Sequence, residues 1–150
     1  MVYLDRATLQ FDGACQPNPG EGGGGYVLTD EYGDTIFEGQ LYIGGDCTNN
    51  VAEYLGLIAG LKHLRDSDHD IGHLCIEGDS ALVINQLNQF FSVRNNRLRP
   101  LYNRAMDLLE RNVGFDSYEI YHIDRSYNNA ADSLARNAIY EQQGYSSDYY

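Results

Sequence analysis

The chain predicts an α/β fold in which a mixed sheet is flanked by helices. Two observations predict it. Residues 3 to 43 hold three β-type runs separated by clusters of turn residues, the pattern of antiparallel strands. From residue 50 onward, apolar stripes at helical spacing alternate with short β-rich runs. The resulting order, β-β-β-α-β-α-α-β-α, is that of a sheet covered by helices rather than of a bundle or a sandwich.

Each element has a local reason. Ala7-Thr8-Leu9-Gln10-Phe11 alternates and ends at Asp12, so it reads as the first strand. Asp12 to Gly20 is dense in Gly, Pro and Asn and reads as a loop. Gly22 to Gly25 leads into the strand Tyr26-Val27-Leu28-Thr29. Glu31-Tyr32-Gly33-Asp34 turns the chain, and Thr35 to Ile43 is the third strand. Val51, Leu55, Ile58, Leu61 and Leu64 then recur on one helical face, with Asn50 as the expected cap. Gly56 and Gly60 inside that helix each cost about 1 kcal/mol relative to Ala. They share a face near Glu53, and close backbone packing is the expected reason for them.

After the polar connector 66–70, His73 to Glu77 reads as a strand and Ser80 to Gln89 as a second helix carrying Val83, Ile84 and Leu87 on one side. Leu98, Leu101, Tyr102, Ala105, Leu108 and Leu109 stripe a third helix. Tyr118 to Ile123 is a β-rich run, and Ala131, Leu134, Ala135, Ala138 and Ile139 mark a last helix. Residues 1–141 are expected to form one domain, and residues 142–150 a polar, disordered tail.

The composition narrows the class. Hydrophobic content of 43% in 150 residues supports one buried core. No apolar run approaches the ~20 residues of a bilayer span, and the opening residues carry no signal-peptide pattern. Cys15, Cys47 and Cys75 are odd in number and lack metal-site or disulfide spacing. A reduced, cytoplasmic setting and a monomer without membrane contact are expected. The net charge is −12, and Lys62 is the single lysine among ten basic residues. Such a surface repels polyanions at long range, so nucleic-acid binding would rest on local contacts. Salt adaptation and drift toward an acidic surface both account for the excess.

Four acids stand where strands end or helices begin: Asp12, Glu53, Asp79 and Asp132. Strands ending at Asp12 and Asp79, if parallel neighbours, would lie about 5 Å apart, and their carboxyl ends would make the crevice where α/β sheets bind ligands. Four carboxylates there could stay ionised only around strong positive charge, for which hard divalent cations are suited. Each acid also has a structural reading. Glu53 and Asp132 stand three residues after Asn50 and Asn129, as in capping boxes. Asp79 suits an N-cap, and Asp12 precedes Gly13 as turn residues do.

The surroundings of these acids carry a resemblance. Phe11-Asp12-Gly13-Ala14-Cys15 through Asn18-Pro19-Gly20 resembles the first motif of type 1 ribonucleases H, and Thr48-Asn49-Asn50-Val51-Ala52-Glu53-Tyr54 the second. Asp79-Ser80 through Val83-Ile84-Asn85-Gln86-Leu87 resembles the third. Arg125 through Asn128-Asn129-Ala130-Ala131-Asp132-Ser133-Leu134-Ala135 resembles the fourth. The likeness runs from residue 3 to residue 141 with order and spacing kept.

The resemblance implies a mixed five-stranded sheet, three antiparallel strands followed by parallel ones, and hydrolysis of the RNA strand of RNA–DNA hybrids to 5′-phosphate and 3′-hydroxyl ends. It implies two Mg²⁺ ions, with Mn²⁺ as a substitute. Asp12 would be shared by both ions, Asp132 would complete the site of the water-activating ion, and Glu53 with Asp79 would hold the other. Cys15, Asn18, Thr48, Asn49 and Asn50 match substrate-contacting positions, with Thr48 near a DNA phosphate. Asn85 is a further candidate, and turn or cap chemistry is the alternative for the asparagines.

Two departures shape the expectation. The segment after the third motif is short, and Arg94, Arg97 and Arg99 are its only cations; with Arg104 nearby it is the best local phosphate contact, Arg94 and Arg97 foremost. The loop before the last acid is compressed to Asp124-Arg125-Ser126-Tyr127. His122 therefore falls in a strand and receives no role, while Arg125 or Asn128 could orient the last helix. The expectation is a compact ribonuclease H acting on hybrids, with double-stranded RNA as a second candidate substrate. A retroelement-derived ribonuclease H unit, a non-catalytic nucleic-acid-binding module on the same fold, and an acidic interaction domain are the competing readings.

Overall fold

The computed structural model describes residues 2–111 and 114–142. Its strands are β1 (Val2–Gln16), β2 (Gly20–Asp30), β3 (Thr35–Cys47), β4 (His69–Gly78) and β5 (Phe115–His122). Its helices are α1 (Asn49–Asp66), α2 (Ala81–Leu87), α3 (Leu98–Arg111) and α4 (Asn129–Gln142), with a 3₁₀ turn at Arg125–Tyr127. The five strands form one sheet in the order β3-β2-β1-β4-β5. β1, β2 and β3 pair antiparallel, while β1, β4 and β5 run parallel. The expected element order and mixed sheet are therefore present.

The core lies between α1 and the sheet. Leu9, Leu28, Leu74 and Ile76 from the strands meet Leu57, Leu61 and Leu64 from α1, all fully buried. α1 also packs on α3. This explains why its buried set is wider than one stripe. Ala52, Glu53, Tyr54, Gly56, Leu57 and Gly60 are buried along with Val51, Ile58, Leu61 and Leu64, while Leu55 is only partly covered. A helix enclosed on both sides is apolar most of the way round.

The glycine run of β2 sets how close the helices come. Side chains along a strand alternate between faces. A Cβ on Gly23 or Gly25 would stand 2.0 or 2.4 Å from the carbonyl oxygens of Ala135 or Ala131 in α4, whereas one on Gly24 would stand 3.0 Å from Gly56 Cα in α1. The two helices thus rest on the β2 backbone from opposite faces, and the expected role of Gly56 is present.

Several boundaries differ from expectation. Asp12 to Gly20 is not an open loop: β1 continues to Gln16 and pairs with β2 as far as Gln16 and Glu21, leaving only a tight turn at residues 17–19. α1 is capped by Thr48, whose Oγ1 accepts from Val51 N–H at 3.4 Å, rather than by Asn50. Ser80, not Asp79, caps α2, accepting from Val83 N–H at 3.3 Å. Gln142 is the last residue of α4 rather than the start of a tail, and the rest of the expected tail lies outside the described residues. No described helix is long and apolar enough to cross a membrane.

Candidate active site

β1 and β4 are hydrogen-bonded parallel neighbours up to Gln10 and Glu77. Asp12 lies two residues further along β1, and Asp79 directly follows the end of β4. Both acids therefore stand at the carboxyl edge of the parallel pair, where ligands bind in sheets of this kind. Glu53 arrives from the first part of α1. Its approach depends on Gly13, where a Cβ would come within 2.2 Å of the Ala52 carbonyl carbon and the Glu53 nitrogen. One carboxylate oxygen each from Asp12, Glu53 and Asp79 all lie within 4.8 Å of one another.

These acids line a cleft of about 330 Å³ together with Cys15, Asn49, Asn50, Ser80, Arg125, Asp132 and Arg136, among others. Asp132, on the first turn of α4, is in the cleft but outside the tight trio, and its Oδ1 accepts from Arg136 Nε at 3.0 Å. The capping-box reading does not describe Glu53: α1 is capped by Thr48, and Glu53 is buried and faces Asp12.

Crowding decides the protonation. Burial pushes Glu53 well above the carboxylate range, and its hydrogen bond to Asp12 and the charges of Asp12 and Asp79 add to this. Burial likewise pushes Asp12 up to about 6, opposed by hydrogen bonds from Glu53 and the Gly13 N–H. Burial and mutual crowding thus favour the protonated form of both carboxyls in the metal-free protein. Glu53 Oε2 is nonetheless buried without any hydrogen-bond partner. An orphaned buried carboxylate oxygen beside two further carboxylates is an all-oxygen donor set, suited to a hard divalent cation such as Mg²⁺ or Mn²⁺.

The neighbouring side chains hold this arrangement. Asn128, fully buried, donates through Nδ2 to the Phe11 carbonyl at 2.9 Å and to Asp79 Oδ2 at 3.0 Å. It ties the end of β1 to the acid after β4. His122 Nε2 lies 3.2 Å from the Asp79 carbonyl oxygen, outside the cleft lining. At the rim, Cys15 N–H donates to Asn49 Oδ1 at 3.1 Å, and Asn49 N–H donates to Asn18 Oδ1 at 3.2 Å. These bonds join the β1–β2 turn to the start of α1.

Among the residues singled out from sequence, Asp12, Cys15, Asn49, Asn50, Glu53, Asp79 and Asp132 line the cleft, while Asn18, Thr48, Asn85, Arg94 and Arg97 do not. Thr48 is occupied as a helix cap. Asn85 is partly buried in α2, and its carbonyl receives the Phe90 N–H at 2.9 Å. Arg97 is exposed and donates to the Asp46 carbonyl at 2.7 Å, and Arg94 is exposed in the segment before α3. Sequence reasoning missed Arg136, although its position four residues after Asp132 is ion-pair spacing on a helix.

Comparison with known proteins agrees with this picture. A family model described as "Reverse transcriptase-like" matches residues 10–138. The chain is 40% identical over 134 residues to ribonuclease HI of the archaeon Halobacterium salinarum, covering 89% of this chain and 64% of that protein. The crystal structure of RNase H1 from H. salinarum superposes with a TM-score of 0.82 at 39% identity, covering 91% of this chain and 98% of that one. LC11-RNase H1, solved in complex with an RNA/DNA hybrid, superposes with a TM-score of 0.80 at 31% identity, covering 91% and 99%. The chain spans less than two thirds of the full archaeal protein and 35% of the mycobacterial relatives it matches. The family-model match takes in all four acid-bearing segments, and the ribonuclease H of Chlorobium luteolum, 31% identical, is covered over 95% of its length, so the chain belongs to the ribonuclease H family, as a type 1 member.

Proposed function

We propose that this chain is a metal-dependent endoribonuclease that hydrolyses the RNA strand of RNA–DNA hybrids, leaving 5′-phosphate and 3′-hydroxyl ends. The observation that carries the reading is the convergence of Asp12, Glu53 and Asp79 oxygens within 4.8 Å at the carboxyl edge of the sheet. The solved complex of LC11-RNase H1 with an RNA/DNA hybrid supports the substrate class. No histidine lines the cleft among the described residues, so a histidine-activated serine or cysteine nucleophile has no support there.

The residues present fit a pair of Mg²⁺ ions, or Mn²⁺ in their place. When bound, such a pair would activate the attacking water and stabilise the leaving oxygen of an in-line displacement. Asp12 would be the shared ligand, Glu53 and Asp79 would help hold one ion, and Asp132 would complete the site of the other. Asn128 holds Asp79 in place with a neutral amide, which leaves the carboxylate its full charge. Arg125 and Arg136 bring positive charge to the wall of an otherwise acidic cleft, where a phosphate would be received. Asn49, whose Oδ1 accepts from the Cys15 N–H, would offer its amide donors to a 2′-hydroxyl.

The test is cleavage of a labelled hybrid, with an RNA duplex in a parallel arm. Cutting of the RNA strand that requires Mg²⁺ and is lost in Asp79→Asn supports the enzyme. Metal-independent hybrid binding without cutting would instead support a binding module.

A further inference from the structure

Asp132 differs from the other three acids in what it already holds. Asp79 is steadied by the neutral amide of Asn128, and Asp12, beside Glu53, accepts from the Gly13 N–H at 2.9 Å. Asp132 instead carries a full positive charge: Arg136, one helical turn on, donates through Nε to its Oδ1 at 3.0 Å. Arg136 also lines the cleft and lies within reach of the Asp12 charge. A guanidinium on that oxygen competes with a metal ion for it and repels a dication placed nearby.

The pair is built to open. The Asp132 side chain is 26% exposed and that of Arg136 46%, so neither is locked by packing. A solvent-accessible pair at this helical spacing is weak. The guanidinium fork matches two oxygens of a phosphodiester as well as it matches a carboxylate.

We propose that Arg136 is a displaceable internal counter-ion for Asp132, so that the nucleic-acid-free protein takes one divalent ion at Asp12, Glu53 and Asp79 and takes a second only when Arg136 leaves. A backbone phosphate arriving in the cleft draws Arg136 to itself and frees Asp132, which couples completion of the second site to occupancy by substrate. This inference rests on the nuclease reading of the cleft.

The experiment is Mn²⁺ titration of the nucleic-acid-free protein, with free ion counted by electron paramagnetic resonance, for wild type, Arg136→Gln, Arg136→Lys and Asp12→Asn. Arg136 is exposed, and unfolding curves confirm that its variants are folded. Wild type should bind one Mn²⁺ tightly and a second at least about tenfold more weakly, because Asp132 is engaged and the first ion repels the second. Arg136→Gln should strengthen the second event by roughly fivefold, and Arg136→Lys by less, since lysine keeps the charge. A second affinity unchanged in Arg136→Gln overturns the proposal. A weaker one does so too, because Arg136 would then be an anchor that presents Asp132 to the ion. If Asp12→Asn loses tight binding while Arg136→Gln matches wild type, only the Arg136 proposal falls. If Asp12→Asn binds as wild type does, the cleft is not the cation site and both readings fall.

Discussion

The side-chain amide of Asn128 and the carboxylate of Asp79, 49 residues apart in sequence, are joined by a 3.0 Å hydrogen bond. The same Nδ2 holds the Phe11 carbonyl at 2.9 Å, so one buried group fixes the spacing between the strand that carries Asp12 and the acid after β4. Asn128→Ala should therefore act twice. Loss of one buried and one partly buried hydrogen bond should lower stability by about 1–3 kcal/mol, read by urea unfolding. Freed from its amide, Asp79 should also weaken Mn²⁺ binding at the trio. Unchanged stability and unchanged metal affinity would show that the contact organises nothing.

Acid should stabilise the metal-free protein. Asp12, pushed up to about 6, and Glu53, pushed higher than its ordinary range, are both raised above their unfolded values. A carboxyl raised in this way contributes stability that is fully present below the unfolded value, near 4, and lost as the pH climbs through the folded one. In chelator, the unfolding free energy should fall from about pH 4 through pH 6 and beyond. Asp12 alone contributes on the order of 2–3 kcal/mol to that fall. Asp12→Asn should flatten the slope, and Mg²⁺ should restore stability at neutral pH. A stability profile for Asp12→Asn parallel to wild type would contradict the assignment.

Glycine substitutions should separate close packing from open surface. A methyl on Gly13 meets the α1 backbone at 2.2 Å, whereas one on Gly44 meets nothing within 4 Å. Gly13→Ala should cost about 1–3 kcal/mol or more by overpacking and should push Glu53 away from Asp12. Gly44→Ala should remain within about 0.5 kcal/mol of wild type. Thermal unfolding of the two variants decides the matter; equal melting temperatures would refute the close approach.

The charge excess makes a prediction of its own. A net charge of −12 repels itself, and raising salt from 0.1 M to 1 M shortens the screening length from about 10 to 3 Å. The melting temperature should rise across that range. A flat response would mean that the acidic surface is not adapted to salt.

Much of this was readable from residues alone, for identifiable reasons. Alternation in β1 and helical stripes in α3 and α4 report burial on one side, which is what those elements have. The residues from Asp12 to Gln16 were obscured because Gly13, which ordinarily signals a loop, here serves close approach to α1, while Pro17 and Pro19 lie in the tight turn beyond. α1 hid a second buried face because a stripe reports one neighbour, while α1 has the sheet and α3. The trio of acids was legible through its motifs. The grip of Asn128 on Asp79 was not, since a contact across 49 residues leaves no local periodicity. The Arg136–Asp132 pair did leave a local mark, its four-residue spacing.

The central claim is that distant carboxylates meet to hold divalent cations, and a crystal grown or soaked in Mn²⁺ tests it most directly. Anomalous scattering should place manganese between Asp12, Glu53 and Asp79, with Glu53 Oε2 among its ligands. Manganese absent from that cleft under conditions where the protein cuts a hybrid would contradict the account.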